Sequence, residues 1–227
     1  MTDFRHLSLC CSLAVCLSSF VSGETVSPAL PEFQAFGHQG VVDDPNGYAD
    51  LRNDKRADAP IVAKVKTGEP FSFVLAENDP WAKVKLASGV TGWMHYSPIK
   101  FFFRKADLPE KSDQGWAEIY ESARSHGVNY YEATQGAVRG DYQALKTFFL
   151  VSSYADGAAG EEHVAIVNIV IHLLGDDALA KFLRTQPKSA RKSVYSTLNE
   201  GSLDPFDSSE YLIRHFPKTA KALDLVR

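Results

Sequence analysis

Hydrophobic and polar positions change period once along this chain. From about residue 40 to 103, apolar residues alternate with polar or small ones in short runs broken by turn residues, the pattern of a small β structure. YADLR at 48–52 follows a tight Pro45-Asn46-Gly47 turn, and IVAKV at 61–65 is stopped by Thr67-Gly68. FSFVL at 71–75 ends in the breaker ENDP at 77–80. WAKVKL at 81–86 pairs with residues 90–94 through a two-residue hairpin loop at Ser88-Gly89. Five strands this short are unstable singly and must close on one another.

Beyond residue 103 the period becomes helical. The charged connector RKADLPEK at 104–111 marks the change, giving a linker at 104–112 and a helical domain at 113–227. Trp116, Ile119, Tyr120 and Ala123 recur at helical spacing, with Gly127 as the stop. Asn129 with Glu132 starts a second helix, and Gly140-Asp141 opens a third running to Leu150. Glu161 and Glu162 open a fourth that Gly175 ends, and Asp207 with Glu210 caps a final one. Short helices with glycine turns predict a helical bundle or a small stack of hairpins. GDYQALKTFF at Gly140, GDDALAKFL at Gly175 and EYLIRHFP near the C-terminus echo one another at roughly 34 residues, the interval of helix-hairpin arrays. The tryptophan and glycine positions of tetratricopeptide repeats are missing.

The N-terminus follows neither period. Arg5 and His6 precede an apolar run at 7–21, and Val21-Ser22-Gly23 supplies small residues, so residues 1–23 read as a signal peptide cleaved after Gly23. Residues 24–39 then form a flexible lead-in. The run is short for a membrane span, and the later run at 166–174 is interrupted by Asn168 and His172, so the mature chain carries no transmembrane anchor. Cys10, Cys11 and Cys16, the three cysteines of the chain, all fall in the leader. The mature protein therefore has no disulfide, thiolate zinc site or cysteine nucleophile. Leu13-Ala14-Val15-Cys16 resembles a lipid-attachment box, but Val15 is bulky for the position before a modified cysteine. A cleaved, exported protein, periplasmic or extracellular, is the expectation.

Composition adds exclusions. At 44% hydrophobic, 23% charged and a formal net charge of −4, the chain suits a soluble globular protein and lacks the basic excess that nucleic acid binding uses. It has no glycine-rich phosphate loop and no GxSxG elbow, and no motif calls for a cofactor or metal.

GYADLR, APIVAKVKTGEPF and WAKVKLASGVTGWMHYSPI, in that order, resemble the bacterial SH3-like family over residues 40–103. Its members run glycine-tyrosine-x-asparagine-leucine-arginine, a valine-isoleucine strand, a central tryptophan and a closing glycine-tyrosine-x-histidine-x-serine-x-isoleucine. Asp50 replaces the usual asparagine, and Trp93 the common tyrosine. The resemblance implies a five-stranded barrel, exported and joined to other domains, that binds peptidoglycan or envelope proteins and peptides, or spaces its neighbours. On that barrel Tyr48, Trp81, Trp93 and Tyr96 are candidate contact surface, with barrel core as the alternative for the tryptophans. Asp50 and Arg52 share one strand face, to hold a ligand or to pin the next loop.

The candidate for chemistry is GEEHVAIVNIVIHLLGDD at 160–177. At about 100° per residue Glu161, Ala165, Asn168 and His172 form a polar stripe on an apolar helix. His172 with Glu161 and Asn168 is a candidate general base or ligand set; the structural alternative is that Asn168 and His172 bond each other or a neighbouring helix end, or that the stripe faces water. His163 falls on the opposite face. Glu118 with Glu121, and Glu161 with Glu162, carry no diagnostic spacing, and Lys188, Arg191 and Lys192 read as an exposed helix face. The combined expectation is an exported, non-catalytic binding or adaptor protein. Its competitor is a cell-wall hydrolase with its active site in the helical domain and the barrel as targeting module.

Overall fold

A computed structural model describes residues 37–75, 79–111, 114–203 and 206–226. The leader, its cysteines and nearly all of the lead-in lie outside the described residues.

The five expected strands are present as β2 (Tyr48–Arg52), β3 (Ile61–Lys66), β4 (Pro70–Val74), β5 (Trp81–Leu86) and β6 (Thr91–His95). Two more extend them, β1 (His38–Val42) before and β7 (Ile99–Phe101) after, so among the described residues the sheet has seven strands in the order β3-β2-β6-β5-β4-β1-β7. Every strand pair is antiparallel. The residues that leave β3 fold back onto the end of β1, where Gly68 N–H donates to Val42 O at 3.0 Å, beside a parallel bridge from Val42 to Thr67.

Alternation sets which side chains go in. Ala49, Leu51, Phe71, Phe73, Ala82, Val84, Leu86 and Met94 are buried, while the residues between them face outward. The crossing of β2 over β6 is held by a single pairing, Arg52 with Trp93, and it demands a glycine. A Cβ on Gly92 would lie 2.6 Å from Arg52 O and 2.8 Å from the Leu51 side chain. The β5–β6 connection differs from expectation. Leu86 N–H donates to Val90 O and Gly89 N–H to Leu86 O, both at 2.9 Å, leaving a three-residue loop, 87–89. Gly89 at φ +86° supplies the left-handed residue that such loops require.

Among the described residues eight α-helices follow: α1 (Ala117–Ser125), α2 (Tyr130–Val138), α3 (Tyr142–Leu150), α4 (Gly157–Leu174), α5 (Asp176–Arg184), α6 (Lys188–Thr197), α7 (Ser208–His215) and α8 (Pro217–Ala222). Asn129, Asp141 and Asp207 each accept from the backbone N–H three residues on, satisfying orphan donors at the starts of α2, α3 and α7. Helix α4 starts earlier than expected, at Gly157, so Glu161 and Glu162 sit in its second turn. There Glu162 reaches sideways and accepts from Ile119 N–H at 2.8 Å. Helix α7 is not the last, because Pro217 restarts the chain as α8. The echoing segments at Gly140 and Gly175 become α3 and α5, which pack on different partners, α2 and α8. Among the described residues no single helix is long and apolar enough to cross a membrane.

Barrel and helices share one continuous core. Phe101 of β7 packs against Phe206, Tyr211 and His172, and Phe73 of β4 also meets Phe206.

Candidate functional site

The outward faces of β2, β5 and β6 carry the candidate site. Cross-strand pairing places Arg52, Trp93 and Lys83 in one row and Trp81 beside His95 in the next, all on one face. A groove of about 630 Å³ runs along it, lined among others by Asn46, Tyr48, Asp50, Arg52, Trp81 and His95. The turn that opens β2 thus delivers Tyr48, 42% exposed, to the groove rim, where the Lys64 ammonium stands 3.7 Å from its ring centroid.

Asp50 and Arg52 serve the groove wall together. Arg52 Nη2 donates to Asp50 Oδ2 at 2.9 Å and Nη1 to Ala59 O at 2.7 Å, which pins the loop between β2 and β3. Asp50 Oδ1 has no hydrogen bond, though Lys64 Nζ lies 3.5 Å away as an ion-pair partner. Trp81 and Trp93 are both half-buried and stand outside the barrel core. Trp93 lies outside the groove lining and is capped by Lys55, whose ammonium sits 4.3 Å above the ring and pairs with Asp79.

Tyr96 is likewise not in the groove lining. It stacks on His95 at 4.9 Å and its hydroxyl donates to Glu210 Oε2 of α7 at 2.8 Å, a bond that raises its pKa. His95 in turn meets Trp81 edge-on at 5.7 Å, so the groove wall continues through His95 and Tyr96 into the helices. His95 Nδ1 accepts from Ser97 N–H at 3.2 Å, which leaves the neutral ring's proton on Nε2. Burial holds its pKa below the usual value. Sequence reasoning singled out neither Asn46 nor His95 as a site residue. Both lie in motifs already prominent, the PNG turn and the GWMHYSPI close.

The polar stripe of α4 has a different fate. His172 Nδ1 lies 2.8 Å from the Asn168 carbonyl, which only accepts, so Nδ1 carries the proton. Nε2 is therefore the acceptor for Tyr211 O–H at 2.8 Å, and the Tyr211 oxygen accepts from Phe101 N–H at 2.8 Å. Phe101, Phe103, Tyr211 and Phe216 surround the ring, and burial pushes its pKa down to about 3. The imidazole is neutral, fixed in one tautomer, and spent on joining β7, α4 and α7. Asn168 gives its carbonyl to that chain, and its side-chain oxygen is buried without a hydrogen bond. Glu161 is exposed and lines a separate cavity of about 430 Å³. Neither His172 nor Asn168 borders the cavity that Glu161 lines. Among the described residues no group of three or more His, Cys, Asp or Glu is placed to hold a metal ion.

A small β-barrel with an aromatic, charge-bearing outer groove is the architecture of a recognition module. The model of the bacterial SH3 domain family matches residues 47–99, spanning β2 to β6 and the entry to β7, and this domain points to a cell-wall or protein ligand. The helical region has no family match. No curated protein matches the chain.

Proposed function

We propose that the chain is an exported binding or adaptor protein of the bacterial envelope, which uses the groove of its SH3-like barrel to hold peptidoglycan or an envelope peptide. The observation that carries this reading is the convergence of Tyr48, the Asp50–Arg52 pair and Trp81 on one open groove. Flat aromatic walls bind extended ligands at little entropic cost, and a fixed charge pair offers hydrogen-bonding groups that need no reordering. Export rests on the leader at 1–23. The competing hydrolase reading draws no support from His172, whose ring nitrogens are held by the Asn168 backbone carbonyl and the buried Tyr211 hydroxyl.

Co-sedimentation of the purified protein with isolated peptidoglycan sacculi tests this, with soluble muropeptides followed in the same tubes. Pelleting without release is expected, weakened roughly tenfold or more by Tyr48→Ala or Trp81→Ala. Failure to pellet, together with no envelope peptide captured through these residues, would overturn the reading; released fragments would make the protein a hydrolase.

A further inference from the structure

We propose that Ser152 is an acyl-accepting nucleophile, activated by His163 and served by the cavity between α4 and the turn after α6. This site is remote in sequence from the groove and independent of its ligand. Ser152 sits in the 3₁₀ turn Val151–Ser153 that joins α3 to the segment before α4. Its Oγ lies 2.9 Å from His163 Nε2, and His163 Nδ1 lies 2.7 Å from the Tyr130 hydroxyl. Nucleophile, base and orienting group thus stand in one hydrogen-bonded line, the arrangement that generalises across serine hydrolases.

Three further observations fit the line to chemistry. His163 is 1% exposed and wedged against Tyr130 and Phe148, so its ring cannot swing away. Burial lowers its pKa to about 4, which keeps the imidazole neutral, with one bare nitrogen, at ordinary pH. The cavity of about 430 Å³ is lined by Ser152, His163, Thr197, Glu161, Glu200 and Gly201, and its size suits a small ligand. Glu161 and Glu200 are both exposed, and their carboxylates favour neutral or cationic acyl groups over anionic ones.

The step balances without a co-reactant other than water. The step runs through the tautomer with its proton on Nδ1, facing the Tyr130 oxygen, in which Nε2 accepts from Ser152 O–H. Oγ bonds to the carbonyl carbon of a small ester while the carbonyl pair moves to oxygen and the serine proton passes to Nε2. Collapse breaks the carbon–oxygen bond to the leaving alkoxide or phenoxide, which takes that proton. Water then cleaves acyl-Ser152 by the same route. The group behind the base is a neutral phenol, so the imidazolium has no carboxylate to stabilise it and acylation is slow. Covalent capture is therefore the appropriate readout.

The full chain is incubated with p-nitrophenyl acetate and, separately, with an alkyl fluorophosphonate, and the adducts are mapped by intact mass and peptide sequencing. The expected result is one adduct, on Ser152, absent in Ser152→Ala and formed at least tenfold more slowly in His163→Gln. Ser153→Ala, next door and exposed, retains it. Circular dichroism and a urea melt show which variants are folded. If His163→Gln does not fold, an adduct confined to Ser152 and absent from folded Ser152→Ala still sustains the proposal. No adduct, labelling spread over surface side chains, or labelling unchanged in Ser152→Ala overturns it.

Discussion

His172 and His163 stand nine positions apart on α4, one turned toward β7 and α7, the other toward α2 and the turn after α3. Both are neutral, His163 buried and His172 half-buried, and each has both ring nitrogens engaged. They differ in what the hydrogen bonds lead to. The chain from Phe101 N–H through Tyr211 and His172 to Asn168 O ends on backbone at both ends, with aromatic rings on all sides. The chain from Tyr130 through His163 ends on a serine hydroxyl that borders a cavity. A buried histidine is an architectural part when its partners are themselves enclosed, and a reactive one when the last partner meets solvent. A lowered pKa does not separate the two cases, because burial produces it in both.

Replacing His172 by Ala should break the comparison most severely. It opens a cavity among four aromatic rings and leaves the Tyr211 hydroxyl without its acceptor, an expected loss of about 3–5 kcal/mol in a urea titration. Tyr211→Phe removes the partner of both His172 Nε2 and Phe101 N–H and should lose about 2–4 kcal/mol.

Acid comes next. His163 and His172 have folded pKa values near 4 and near 3, below the unfolded value of 6.5, so the unfolded chain binds more protons between those limits. Stability is then fully present above about pH 6.5 and falls as the pH drops toward about 3, by about 1.4 kcal/mol for each unit by which a pKa is displaced. Asp43 acts in the same sense: the hydrogen bond from His215 lowers its pKa, and that stabilisation fades on acidification. A thermal melt series from pH 8 to 3 reads the slope, and His172→Ala should flatten it more than Tyr48→Ala does.

His163→Gln should have a smaller effect on folding, about 1–2 kcal/mol, since an amide can bond to Tyr130 or Ser152 in place of the ring. Tyr48→Ala should move stability by less than about 0.5 kcal/mol while weakening groove binding, because that side chain is 42% exposed.

Much of the architecture was legible because it is local. Alternation marked β2 to β6, and the caps Asn129, Asp141 and Asp207 mark the helix starts that the sequence assigns them. Strands β1 and β7 were missed because β7 has only three residues, β1 shows no clean alternation in HQGVV, and both owe their existence to pairing, Gly40 with Phe101 and Val41 with Pro70, across distant parts of the chain. The start of α4 was misplaced because Glu161 and Glu162 resemble a first turn, whereas the helix begins at Gly157. At the groove, the same-face spacing of Asp50 and Arg52 was readable, and so was the loop-pinning role that the guanidinium performs on Ala59 O. The exclusion of Trp93 and Tyr96 from that groove was not, since Lys55 and Glu210 reach them from other segments. The polar stripe on α4 suggested that the Asn168 and His172 side chains bond each other; His172 Nδ1 instead bonds the Asn168 backbone carbonyl, which any residue four positions back would supply. Tyr211, 39 positions on, could not be inferred from periodicity.

The joints between barrel and helices also set an order of events. Phe101 N–H waits for a hydroxyl 110 positions downstream, and Asp43 for an imidazole 172 positions downstream. Contacts between positions so far apart in the chain form late and slowly. The strands from β2 to β6 can meet early in synthesis, but the seam around Phe101 cannot close before α7 has emerged. A nascent chain stalled short of Tyr211 should therefore expose an open aromatic edge at β7.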